Sequence, residues 1–98
     1  MRYIEELVET IDDELEGAKD YAEKYLQLKA EGDSWSTKFK ELANTELSHA
    51  LTIHDYAVQK IDELKRIYTA PVEMQEMWDT SHKKYIEKTA WIKQMLTM

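Results

Sequence analysis

Cysteine is absent from this chain, and glycine and proline are scarce. The 98 residues include no Cys, two Gly and one Pro. Without Cys there is no disulfide, no thiolate metal site and no cysteine nucleophile. Because so few Gly and Pro interrupt the chain, the sequence predicts long helices and an all-α fold. Any metal site must use Glu, Asp and His, which suit Fe, Mn or Zn better than Cu(I).

Excess positive charge and long apolar runs are lacking as well. The net charge is -7, whereas nucleic-acid binders present a basic surface, so we expect no nucleic-acid partner. No apolar run approaches the length of a membrane span, and the first residues lack the uncharged apolar core of a signal peptide. We therefore expect a cytoplasmic protein with no membrane partner.

Two interruptions divide the chain into three predicted helices. The first is Gly32-Asp33-Ser34, in which Gly32 suits a helix C-cap and Asp33 or Ser34 suits the next N-cap. The second is Thr69-Ala70-Pro71, because Pro71 is tolerated only in the first turn of a new helix. The predicted helices cover residues 2–31, 34–68 and 71–96 of a single domain, 1–98.

The first predicted helix carries an apolar stripe with one acid at its margin. Its stripe residues recur at intervals of three and four: Ile4, Val8, Ile11, Leu15, Ala18, Ala22 and Tyr25. With about 100° of rotation per residue, Glu14 falls at the edge of this stripe. Asp13 and Glu16 fall on the far side, so Glu14 is the acid expected to point partly inward.

The second predicted helix places a carboxylate at the centre of its apolar face. That face is formed by Trp35, Phe39, Leu42, Ala50, Ile53, Ala57, Ile61 and Leu64. Glu46 lies where the pattern predicts an apolar residue, and His49 follows one turn later beside it. His54 falls near the other margin. On the third helix, His82 falls within a stripe of Met74, Trp78, Tyr85, Ile92 and Leu96.

A carboxylate on an apolar face needs compensation, because an unpaired buried charge costs several kcal/mol. No Lys or Arg lies on the same face within one turn of Glu46, but His49 does. Residues three apart on a helix are neighbours, and Glu-x-x-His is an element of di-iron and di-manganese bundles. Glu14, Glu46 and His49 are therefore the predicted metal ligands. Protonation of Glu46, water at an interface, or a surface Glu beside a half-buried His are the other interpretations of this pattern.

The number of ligands predicts a partner chain. A ferritin-like site uses a Glu from each of two helices and a Glu-x-x-His from each of two others, and this chain supplies half of that set. A symmetric homodimer, or a higher homo-oligomer, that packs two hairpins together supplies all of it. The predicted architecture is a long antiparallel helical hairpin plus a third helix, which forms a four-helix bundle by dimerisation.

The stretches DDELEGAKDY (12–21) and ELANTELSHA (41–50) resemble the ferritin-like superfamily, in particular the short encapsulated-ferritin-like proteins and small ferritin-like proteins of phage regions. The resemblance covers the first two helices and includes Tyr21. It implies ferroxidase chemistry on a di-iron site with Glu14, Glu46 and His49 as the catalytic residues, in which Glu46 is the bridging ligand and Glu14 and His49 are terminal ligands. It also implies an encapsulin shell as a partner, although no cargo tail is recognisable in WIKQMLTM.

Other interpretations of the same residues remain open. One alternative is a metal-free helical assembly or adaptor module of phage type, in which Glu46 and His49 form a polar pair that sets the register between chains. The chain can also bind metal without turnover, as an iron sensor or carrier does. His82 is expected to be a hydrogen-bonded core residue or a partner that orients Glu14 or Glu46.

Overall fold

The computed structural model describes residues 2–67 and 72–98. These residues form three α-helices and no strand: α1 (Arg2–Ala30), α2 (Ser36–Ile67) and α3 (Val72–Met95). The predicted all-α fold class is therefore confirmed. The proposed break at Thr69-Ala70-Pro71 lies outside the described residues. No helix in the described ranges is long and apolar enough to cross a membrane.

Helix α1 ends as its sequence predicts, at a glycine in the left-handed region. Gly32 has a φ of 72°, which costs a glycine little because it has no Cβ. Its N–H donates to the Lys29 carbonyl over 3.1 Å, and the Asp33 N–H donates to the Leu28 carbonyl over 2.9 Å. This pair of bonds is a Schellman motif, which satisfies the carbonyl groups left free at the helix end.

Helix α2 begins two residues later than predicted, at Ser36 rather than at residue 34. The Asp33 carboxylate accepts a hydrogen bond from the Trp35 N–H over 2.9 Å, and the Asp33 carbonyl accepts one from Ser36. Asp33 therefore caps the start of α2 by closing a turn over residues 34 and 35.

Helices α1 and α2 pack as a close antiparallel hairpin. Tyr3, near the start of α1, hydrogen-bonds Tyr56 in the second half of α2, and Tyr21 packs on Phe39 near the other end. The contact between the helices is lined by fully buried alanines, Ala18, Ala22, Ala43, Ala50 and Ala57. We call this row the alanine seam. Its small side chains let the two helices approach closely, since packed interiors leave few voids.

The buried face of α2 differs from the predicted one. Trp35 and Leu42, both predicted to be core residues, have 62% and 41% of their surface exposed. Ala43 is fully buried, and His54, predicted at the margin, is buried as well. The apolar residues of α2 span a stripe wider than one neighbouring helix can cover. Helix α1 packs on the part of α2 that carries the small alanine side chains. Glu46 therefore lies at the edge of the contact between the helices rather than at its centre.

Helix α3 packs along one side of the hairpin, chiefly on α1. Four of the five predicted stripe residues are buried, Met74, Trp78, Ile92 and Leu96, whereas Tyr85 is half-buried. Ser81 and Met95 are buried as well. Lys88 on α3 binds the Glu16 carboxylate on α1 over 2.8 Å, which lowers the pKa of Glu16. Glu14 and Glu16 are two residues apart and so point about 160° away from each other around α1. Glu14 therefore points away from α3.

His54 joins α2 to α3 through a stack of rings. His54 Nε2 and His82 Nδ1 are 2.9 Å apart, so one ring nitrogen donates a hydrogen bond to the other. The His54 ring stacks on Tyr85 with centroids 4.2 Å apart and packs on Trp78. His82 is thus a hydrogen-bonded residue of the interior, one of its two predicted roles, with His54 as its partner.

This stack makes stability depend on pH. Burial, and then the charge of His82, lower the pKa of His54, while Asp55 opposes them. Because the pKa of His54 is lowered by folding, His54 takes up a proton more readily in the unfolded chain than in the folded one. This difference appears as the pH falls below about 6.5, the ordinary pKa of histidine. The free energy of unfolding therefore falls as pH drops through that value. Urea titrations from pH 8 to pH 5 are expected to show a shallower fall for His54→Phe than for wild type; parallel curves would contradict this.

Candidate metal centre

The side of the hairpin turned away from α3 carries half-exposed aromatic, apolar and acidic residues. On α1, Tyr3, Glu14 and Tyr21 lie within about 20° of one another around the helix axis. On α2, His49 lies about 140° around the helix from His54, which contacts α3. We call this side the open face. It includes Tyr3, Glu14, Tyr21, Trp35, Leu42, Glu46, His49 and Tyr56.

Glu14, Glu46 and His49 meet at the middle of the open face. One ligand atom from each lies within 4.8 Å of the other two. His49 Nδ1 is 3.5 Å from Glu14 Oε2 and 4.0 Å from Glu46 Oε1. The Glu14 and Glu46 side chains are about three-quarters buried, with 25% and 26% of their surface exposed, whereas His49 is 53% exposed. The structure thus brings together the three residues that the sequence selects.

The two carboxyl groups interact unfavourably when both are ionised. A hydrogen bond that the two groups can form only when one of them is protonated, burial, and the negative charge of Glu14 raise the pKa of Glu46, and His49 only partly offsets them. Like charges that share a partly buried site favour the protonated form of one group. A bound cation would stabilise the doubly ionised form instead. The pair therefore favours either a shared proton or a metal ion.

Few positively charged or hydrogen-bonding groups of the protein lie close enough to stabilise the two ionised carboxylates. Within residues 2–67 and 72–98, no Lys or Arg lies within 4.0 Å of either carboxylate, and the imidazole of His49 is the only basic side chain there. The Glu14 Oε2 atom is buried and makes no hydrogen bond among the described residues. Its 3.5 Å separation from His49 Nδ1 is longer than an ordinary N–H···O hydrogen bond. A buried carboxylate oxygen without a donor is an available metal ligand.

One residue beside the cluster escaped the sequence analysis. Gly17 lies one turn after Glu14 on α1, and a Cβ built there would be 3.2 Å from Glu46 Oε2. The only signal in the sequence is a glycine in the interior of a long helix, where alanine is more stable. That signal does not say which residue of another helix comes close.

The other predicted residues serve packing in this structure. Tyr21 packs on Phe39 with ring centroids 6.1 Å apart. Tyr25 is buried, with the ammonium groups of Lys29 and Lys40 each 5.7 Å from its ring centre. These contacts fit the amphipathic character of tyrosine.

The donor set suits a divalent metal of intermediate softness. Two carboxylates and one imidazole are the ligand types found for Fe, Mn and Zn. Three donors leave coordination positions open, which a second set of ligands, water or a substrate can occupy. Comparisons of this chain with protein-family models, with curated proteins and with solved structures found no match, so the ferritin-like resemblance stays a prediction.

Proposed function

We propose that this protein binds a pair of iron ions between two copies of the chain and acts in iron oxidation or iron handling. The observation that carries the proposal is the convergence of Glu14, Glu46 and His49 within 4.8 Å. They meet on a face where, among the described residues, no Lys or Arg forms an ion pair with either carboxylate. Mn and Zn are the competing metals for this donor set.

A second copy of the chain is part of the proposal because one chain offers only three donors. Two sets related by a two-fold axis make a four-carboxylate, two-histidine site of the kind found in di-metal bundles. The open face also exposes Leu42, one turn before Glu46, and Trp35, just before the start of α2. The surface of the chain is 6339 Å², above the roughly 5,800 Å² expected for a compact monomer of its mass. A partner on the open face would bury that apolar surface.

Each residue of the site has a role under this proposal. Glu14 and Glu46 supply negative charge that favours Fe(III) over Fe(II), and His49 supplies a neutral nitrogen ligand. Bound iron supplies the redox chemistry, in which Fe(II) is oxidised and O2 is reduced. The apolar neighbours on the open face limit the access of water once a second chain covers them.

The first test is the amount of iron that stays bound after anaerobic loading with Fe(II) and desalting. We expect about one iron per chain in the wild type, because two chains share two ions, and almost none in Glu46→Ala. Glu41→Ala is the matched control, since Glu41 is an exposed acid on the same helix and should leave binding unchanged. Parallel loading with Mn(II) and Zn(II) identifies the preferred metal.

The same experiment separates the proposal from its alternatives. If neither wild type nor variant retains metal, the metal-free assembly module is the better interpretation, with Glu46 and His49 as a polar pair between chains. If iron is retained but its oxidation by O2 is no faster than in buffer, the protein is a carrier or sensor. Light scattering with and without metal tests whether a dimer forms.

A further inference from the structure

Gly17 occupies an unusual place for a glycine. It lies in the interior of α1, thirteen residues before the end of the helix at Ala30, and its φ is not positive, unlike that of Gly32. The backbone conformation therefore does not require glycine here. In a helix interior, glycine is less favourable than alanine because it loses more conformational freedom on folding. We therefore looked for a neighbouring group that leaves no room for a side chain at position 17.

The contact is with the carboxylate of Glu46. A Cβ at position 17 would be 3.2 Å from Glu46 Oε2, 3.7 Å from Cδ and 3.8 Å from Cγ. The first distance is shorter than ordinary van der Waals contact, so a methyl group would displace the carboxylate by a few tenths of an ångström. The missing side chain lets the end of Glu46 lie directly on the backbone of α1.

The position of this contact relates it to the candidate metal centre. Gly17 follows Glu14 by three residues, so the two face the same groove between α1 and α2. The Glu46 carboxylate, which comes from α2, reaches across that groove and lies beside both. Ligand atoms must be held within about 0.5 Å of their binding geometry for tight metal binding. A shift of a few tenths of an ångström uses up most of that tolerance, so we expect it to weaken binding rather than abolish it.

We propose that Gly17 is a positioning residue for the metal centre: its lack of a side chain allows Glu46 to reach the point where its carboxylate, Glu14 and His49 converge. This inference rests on the proposed function. It explains the presence of a helix-destabilising residue at a site where stability alone would favour alanine.

The test compares Gly17→Ala with the wild type in two properties. In metal-free protein, the melting temperature is expected to stay the same or rise slightly, because alanine favours the helix while the contact with Glu46 opposes it. The affinity for Zn(II), measured by calorimetry, is expected to fall about tenfold. Asp20→Ala is the control, since Asp20 is exposed on α1 and its replacement raises helix propensity without a contact to Glu46.

A double-variant cycle isolates the contact without any metal. If the methyl group acts on Glu46, then Gly17→Ala raises the melting temperature more in a Glu46→Ala background than in the wild type. Equal increases in the two backgrounds would overturn the proposal. Unchanged Zn(II) affinity in Gly17→Ala, with a wild type that binds, would overturn it while leaving the proposed function intact. A wild type that binds no metal would overturn both.

Discussion

Glu46→Gln is expected to make the metal-free protein more stable and, because the proposed function makes Glu46 a ligand, to remove stabilisation by added metal. A hydrogen bond to Glu14 that only a protonated carboxyl group can make, burial and the negative charge of Glu14 all raise the pKa of Glu46, because two ionised carboxylates repel each other at this site. At pH 8 the native state therefore carries an unfavourable negative charge, which a neutral amide of the same shape removes. The same amide is a poor metal ligand, so the variant loses the site.

The loss of metal stabilisation is the larger of the two effects. A ligand present at 100 times its dissociation constant stabilises a protein by about 2.7 kcal/mol. For a chain of this size, each kcal/mol corresponds to about 4–8 °C in melting temperature. Thermal unfolding with chelator and with excess metal measures both effects in one variant. We expect the metal-induced shift to disappear in Glu46→Gln.

The matched control for this prediction is Glu41→Gln. Glu41 is exposed on α2, and its carboxylate approaches only Lys38, at 3.9 Å, among the ion pairs of the described residues. Its replacement should alter neither the metal-free melting temperature nor the metal-induced shift. A Glu46→Gln protein that keeps the full metal-induced shift would show that the metal binds elsewhere on the chain.

Ala50→Leu is expected to destabilise the fold and to disrupt the metal centre together. Ala50 is fully buried in the alanine seam, so three additional carbon atoms have no free volume to occupy. Insertions of this kind cost about 1–3 kcal/mol in a packed core. Because alanine and leucine have similar helix propensities, the cost reports packing alone.

The same substitution is expected to weaken metal binding, because it pushes α1 and α2 apart. Glu14 lies on one of these helices, and Glu46 and His49 lie on the other, so their distances depend on the seam. Ala90→Leu on α3 provides the control, since Ala90 is exposed. Melting temperature and Zn(II) affinity measure the two effects. A stable Ala50→Leu protein with normal affinity would show that the seam does not set the separation of the ligands.

The candidate site was predictable because its signal is local. Glu46 and His49 are three residues apart, and helical geometry alone places such residues side by side. Glu14 required one further assumption, that the first two helices pack as an antiparallel hairpin. The sequence could not identify Gly17 as a neighbour of Glu46, because that contact depends on the rotation of α1 against α2.

The burial pattern of α2 shows where sequence reasoning stops. Hydrophobicity identified Trp35 and Leu42 as residues that favour burial, but it does not say whether a neighbouring helix is present to cover them. Within one chain, close packing buries the small residues of the alanine seam rather than the larger Trp35 and Leu42. The larger residues remain on the open face, where the proposed second chain would cover them.

The sequence by itself determined the three helices and the end of α1. The scarcity of glycine and proline and the apolar periodicity act within a few residues of one another. Only the tertiary structure decided which strip of α2 is buried, that His54 pairs with His82, and that Gly17 lies against Glu46. Each of these depends on the distance and rotation between helices, which arise from the packing of residues far apart in the chain.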